Sequence, residues 1–174
     1  NDAPFAGRDI IVIGGGAAGI FGAVHLKSLR PDARVLVLEK QRNLLTKVKV
    51  SGGGRCNVTH ACWTPRELVR YYPRGQKELL GPFHKFMTGD MIHWLSERGV
   101  ATKIEADGRI FPESNSSQTI IDCFLSEAKK YKVEILYNYA VKTIEPLNDS
   151  FKIETSKGVV YGKKVVVATG SNSK

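Results

Sequence analysis

Asp9-Ile10-Ile11-Val12-Ile13-Gly14-Gly15-Gly16-Ala17-Ala18-Gly19 is the stretch that decides the fold. A run of β-branched residues fits a strand buried on both faces. The glycines then turn it tightly into a helix whose N-terminus is left open. Gly14 lets the chain turn, Gly16 has no side chain to hold a phosphate off the backbone, and Gly19 lets the helix lie close to the strand. Free N–H groups and the positive end of the helix dipole suit a pyrophosphate. The next apolar run, Arg34 to Glu39, ends in an acid about 20 residues past Gly19, where a carboxylate accepts hydrogen bonds from a ribose diol. Strand, glycine turn, helix and acid together imply dinucleotide binding. The alternative is a glycine-rich strand–helix turn that holds no ligand.

The 174 residues suffice for one domain with a real core, and 42% hydrophobic with 25% charged residues is ordinary for a globular protein. No apolar stretch is long enough to span a bilayer, and the first residues carry no secretory signal, so a cytoplasmic location is expected. Asn1 is not a methionine, which reads as a trimmed start. Cys56, Cys62 and Cys123 are odd in number and fit no metal spacing, so free thiols and no metal are expected. The net charge of +9 is compatible with nucleic-acid binding. However, the basic residues are scattered, without a long basic run. The charge is therefore assigned to solvated surface and to attraction for an anionic cofactor, with no nucleic-acid or membrane partner.

Along the chain, a helix is expected over about 17–29, then the strand to Glu39. From Lys40 to Trp63 little helical periodicity is visible, and the stretch holds Ser51-Gly52-Gly53-Gly54-Arg55-Cys56-Asn57. A nicotinamide-binding fold would continue here with a second crossover helix. A long irregular stretch is usually functional or disordered, and three glycines allow close backbone approach to a ligand. Thr64-Pro-Arg-Glu67 is a capping box opening a short helix to about Tyr72. Further helices are expected over 76–80, over 89–98 capped by Thr88, and from Ser116 or Ser117 to Lys130. Short strands are expected over 102–105 and 109–111, and a core strand over 133–137. Segments 140–144, 151–155 and 159–161 read as a β-meander, followed by a separate apolar strand, Lys164 to Ala168, that leads into Thr169-Gly170.

GGGAAG, Glu39-Lys40, SGGGRCNVT, GRIFPESNSS, the meander and VVVATG, in this order, resemble the BaiN-like (YhiN-type) flavoproteins, FAD- and NAD(P)-dependent oxidoreductases of the glutathione-reductase-like group. The resemblance implies an α/β fold: a Rossmann-like FAD-binding domain with a parallel sheet, helices and a three-stranded antiparallel meander. It implies that residues 1–174 are the N-terminal part of that domain, with an inserted domain and the C-terminal return of the fold outside it, and that such a fragment binds FAD weakly and does not turn over alone. By the same resemblance Gly14, Gly16, Ala17, Ala18 and Gly19 hold the FAD pyrophosphate, and Glu39 takes the adenosine ribose with Lys40 beside it. Lys47 reaches toward the cofactor. Ser51, Gly52, Gly53, Gly54, Arg55, Cys56 and Asn57 run along the pyrophosphate, ribityl chain and flavin edge. Val141 offers its backbone to the adenine, and Ala168, Thr169 and Gly170 pass near the pyrophosphate. The family usually has a second glycine where this chain has Ser171.

Arg55 is read either as a cation near phosphate or reduced flavin, or as a brace for its own loop. Cys56 and Cys62 lack the Cys-x4-Cys helix of flavin disulfide reductases, so burial near the cofactor is expected for Cys56. Phe111 reads as core. Arg109 reads as lining the substrate side or as pairing with an acid such as Glu113. His60 follows the glycine loop, and no catalytic acid or base is nameable. The implied function is flavin-dependent hydride transfer through N5, with NAD(P)H as a possible donor and a small-molecule substrate. The rivals are a tRNA-modifying flavoprotein, an FAD-binding fragment without activity, and a nicotinamide-only dehydrogenase.

Overall fold

The computed structural model describes residues 7–171; residues 1–6 and 172–174, including the start, lie outside the described residues. The described chain divides into two compact units, one formed by 7–47 and 124–171, the other by 48–123.

In the first unit, β1 (Arg8–Ile13) leads through Gly14–Gly16 into α1 (Ala17–Leu29), and β2 (Val35–Glu39) follows. The sheet is completed by β6 (Glu134–Tyr137), β7 (Val141–Pro146), β8 (Phe151–Thr155) and β9 (Gly158–Val167), in the order β6-β2-β1-β9-β8-β7. Strands β6, β2, β1 and β9 run parallel to their neighbours, while β7, β8 and β9 pair antiparallel. The core gathers Ile11, Leu36, Ile153 and Val160, each fully buried. Burying such apolar surface is what drives the sheet together.

The meander and the terminal strand are one element, not two as the sequence reading has it. β9 closes the meander with β8 and continues past Gly162 alongside β1. Gly162 hides the continuity in the sequence because it interrupts the apolar pattern. It is glycine because a Cβ there would lie 2.6 Å from Ile11 Cδ1. The crossover that is missing after β2 is supplied much later by α6 (Ser117–Lys130), which enters β6 beside β2. The second unit occupies the chain between them. Ser116 caps α6, its Oγ accepting the Gln118 N–H at 3.2 Å.

The stretch read as irregular contains α2 (Thr46–Gly54), which is helical up to Val50 and broken at Ser51 (ψ 148°), Gly52 (φ 55°) and Gly53 (φ 67°). Its residues include none that is buried, so no apolar period marks it.

In the second unit, β3 (Thr59–His60), β5 (Arg109–Pro112) and β4 (Thr102–Ile104) form an antiparallel sheet in the order β3-β5-β4. Around it lie α3 (Pro65–Leu68), a 3-10 turn (Val69–Tyr71), α4 (Gln76–Phe83) and α5 (Thr88–Ser96). Thr64 caps α3 as expected. Thr88 does not cap α5: the Asp90 carboxylate accepts the Met87 N–H at 2.8 Å, and the buried Thr88 hydroxyl donates to the His60 carbonyl. Among the described residues no helix is long and apolar enough to cross a membrane.

Candidate functional site: the glycine turn and the 51–57 loop

The first unit builds an anion site from backbone. Gly14 has φ 109°, and a Cβ on it would run into the Ala168 carbonyl oxygen. A Cβ on Gly19 would run into the Gly14 carbonyl oxygen, so α1 is held hard against the turn. Gly16 differs from both: a Cβ there would meet nothing within 4 Å. It is the N-cap of α1, no side chain caps the helix, and no acid stands in its first turn. Ala17 and Ala18 are exposed there. The helix therefore presents uncapped N–H groups and its positive end to open space.

Glu39 closes one side of this turn. Its Oε2 accepts the Gly15 N–H at 2.7 Å and its Oε1 accepts the Gln41 N–H at 2.8 Å. Each carboxylate oxygen keeps a lone pair for a further donor. Gly15, which the sequence reading passed over, is buried, and a Cβ there would meet Leu44 and Glu39. Its carbonyl accepts the Leu45 N–H at 3.0 Å. The signal was present as the middle glycine of three, but its partner Leu44 lies far along the chain. Lys40 is exposed just past β2.

Two distant segments complete the rim. The Ala168 N–H donates to the Ile13 carbonyl at 2.8 Å, which sets Ala168, Thr169 and Gly170 beside the glycine turn. Lys47 Nζ donates to the Ser171 carbonyl at 2.6 Å, placing a cation at this end. The Tyr139 N–H donates to the Glu39 carbonyl at 2.8 Å, and the Ala140 N–H to Ser156 Oγ at 3.1 Å, so Val141 starts β7 next to the tip of β2. The structure thus brings Gly14, Gly16, Gly19, Glu39, Lys47, Val141 and Ala168–Gly170 to one end of the sheet. Tyr139 and Ser156 are further residues of that edge that the sequence did not single out.

In the second unit the loop at 51–57 is braced from inside. The Cys56 N–H donates to the Ser51 carbonyl at 3.0 Å, and Ser51 Oγ donates to the Val48 carbonyl at 2.8 Å. Gly52 packs so closely that a Cβ would lie 2.7 Å from the Asn57 nitrogen and 2.8 Å from Phe111. Gly53 is open, with nothing within 4 Å of a Cβ. Gly54 shares the left-handed backbone, and Asn57 is exposed. Cys56 is buried, and burial pushes its thiol pKa up, which keeps it an inert thiol.

Arg55 braces its loop with its side chain. Its guanidinium lies 3.9 Å from the Phe111 ring centroid and donates to both Glu105 oxygens, at 2.5 and 3.4 Å. Phe111 is core, as read. Arg109 pairs with Asp107 at 2.7 Å, not with Glu113. The turn Ala106-Asp107-Gly108 folds the acid back onto the guanidinium, whereas the Glu113 N–H is tied to the Ala101 carbonyl. His60 stacks on Tyr71 at 4.6 Å and meets Cys62 Sγ at 3.5 Å.

The hydrogen bond from Arg55, then its charge and that of Arg109, hold the Glu105 carboxyl below the usual carboxylate range. A depressed folded pKa stabilises the fold above the unfolded pKa and is lost as pH falls through the folded one. Glu105→Gln is expected to flatten the acid limb of a melting-temperature-against-pH curve below about pH 4.5 and to leave the neutral region nearly level. An acid limb identical to that of the wild type would remove this pair from the account.

Comparison with known proteins decides the family. The family model described as the HI0933-like protein Rossmann domain matches residues 8–174. The chain belongs to that family. The ribosomal RNA dihydrouridine synthase of Haemophilus influenzae is 30% identical over 167 residues, covering 94% of this chain and 40% of that protein. The 3-dehydro-bile acid delta(4,6)-reductase of Clostridium scindens is 25% identical over 162 residues, covering 93% of this chain and 39% of that protein. The chain spans 39–40% of these relatives' length. Among solved structures, the 3-ketosteroid-delta4-(5alpha)-dehydrogenase of Rhodococcus jostii RHA1 superposes with a TM-score of 0.63 at 19% identity, over 98% of this chain and 47% of that one. The BaiN-like resemblance and the Rossmann-like fold class are borne out, and the HI0933-like domain shares the fold of that dehydrogenase over 98% of its own length.

Proposed function

We propose that the glycine turn of this HI0933-like domain binds the pyrophosphate and adenosine of FAD. The observation that carries this is the contrast within the turn: Gly14 and Gly19 are glycine because protein fills the Cβ position, while Gly16 is glycine with empty space there. An uncapped helix N-terminus facing that space suits a pyrophosphate. Glu39 offers its remaining lone pairs to the ribose, Lys47 sets a positive charge near the phosphates, and the Val141 backbone serves the adenine. Within the second unit, the open, left-handed Gly53 of the loop at 51–57 leaves room for close approach of a ligand. When bound, FAD would supply the hydride-transfer chemistry, and these residues would bind and orient the cofactor.

For the whole protein we propose reduction of a carbon–carbon double bond activated by a carbonyl, with NAD(P)H as the donor. Both relatives' names describe such a saturation, one on uridine in ribosomal RNA and one on a bile acid. Anaerobic mixing of the FAD-loaded full-length protein with NADPH or NADH tests this. Loss of visible flavin absorbance, restored by an enone steroid or by uridine-containing RNA, is the expected result. Flavin that neither nicotinamide reduces would remove the donor assignment.

The RNA reading of the substrate has its own support. The net charge of +9 suits a polyanion, and the relative at 30% identity is named for ribosomal RNA. RNA therefore stands beside the small molecule as a partner.

A further inference from the structure

We infer that the surface of the second unit formed by Trp63, α3, the 3-10 turn and α4 binds unpaired RNA. The inference rests on the RNA reading of the substrate and is independent of the cofactor assignment. Leu68 and Val69 are buried, so the turns that carry them send Arg66 and Arg70, one helical turn apart, outward. Arg74 follows, also exposed. Among the described residues none of these three arginines is in an ion pair or a cation–π contact, unlike Arg55, Arg98 and Arg109 of the same unit. From Trp63 through Lys85 inclusive there are five Lys and Arg against two Glu.

Large aromatics interleave with these charges and stay open to solvent: Trp63 is 56% exposed, Tyr71 60% and Tyr72 43%. They are not loose. The Tyr71 ring stacks on His60 at 4.6 Å, and the His60 ring packs where a Cβ on Gly108 would fall. The Tyr72 ring lies 5.5 Å from that of Phe83. Each tyrosine is thus held on one side and open on the other, so a base that stacks on it costs little side-chain ordering. Fixed aromatic faces among unpaired arginines suit single-stranded or looped RNA, where bases are splayed out and stack while phosphates meet the cations. A duplex would use the arginines but leave the rings without a role, and a purely electrostatic partner such as an acidic protein would do the same.

Fluorescence anisotropy with a labelled single-stranded oligouridine, over a salt series, tests the proposal. Two variants separate its terms. Arg66→Glu/Arg70→Glu/Arg74→Glu is expected to weaken binding at least tenfold and to reduce the slope of log K against log salt by about 2. Trp63→Ala/Tyr71→Ala is expected to weaken binding about tenfold or more with the slope unchanged. Lys129→Glu/Lys130→Glu, in the first unit, is expected to leave binding within about twofold. No binding by the wild-type protein, full binding by both surface variants, or equal loss in the Lys129/Lys130 variant would overturn the proposal. So would loss in the arginine variant alone, which would mark a general anion surface. FAD affinity measured on the same samples separates the two readings: RNA binding with no FAD binding would fail the cofactor assignment and leave this surface standing.

Discussion

Gly16→Val is expected to abolish binding of FAD and of ADP alike while leaving the fold intact. A valine Cβ at this position meets no protein atom within 4 Å, and the backbone there (φ −80°, ψ −172°) is one that any residue adopts. The cost to stability is therefore limited to helix-cap preference, about 1 kcal/mol or less. The ligand has no such freedom, because the added methyl groups stand where the phosphate oxygens would meet the first N–H groups of α1. Loss of at least about 100-fold in affinity, roughly 2.7 kcal/mol, is expected for both ligands. ADP matters because it carries the pyrophosphate without the flavin. Unchanged ADP affinity in a folded variant would place the phosphates elsewhere.

Three residues further on, the same change is expected to act on folding instead. Gly19→Val drives its Cβ into the Gly14 carbonyl oxygen, a backbone atom, and brings it within 3.4 Å of Val12 Cγ1. Neither neighbour can rotate away, since the Val12 side chain is in the core and Gly14 is pinned by its own N–H to the Leu38 carbonyl at 2.9 Å. Lifting α1 off the sheet relieves the clash, and overpacking of this kind typically costs about 1–3 kcal/mol. Against a typical domain stability of about 5–15 kcal/mol, that is a large fraction. A fall in the urea midpoint of Gly19→Val, with Gly16→Val close to wild type, is the expected pattern. Equal midpoints would mean that α1 is not packed as described.

The strands and the glycine turn were legible because their cause is local. Ile10 to Ile13 and Val35 to Leu38 are apolar runs of the length that a covered parallel sheet needs, and Gly14, Gly16 and Gly19 mark the turn by spacing alone. What was not legible depends on partners distant in the chain. The continuity of β9 through Gly162 depends on Ile11, and the role of Gly15 on Leu44. Arg55 finds Glu105 and Phe111 some 50 residues later, and Arg109 chose Asp107 over Glu113 through a turn geometry that composition does not show. The helix in α2 was missed for the opposite reason: it buries nothing, so no period reports it.

Calorimetric titration of the protein with FAD, ADP and FMN tests the central claim most directly, since these ligands divide the cofactor into its halves. Binding of FAD and ADP, with FMN left unbound, is the result expected of a site built on the Gly14–Gly19 turn and Glu39. Binding of FMN with no response to ADP would contradict it.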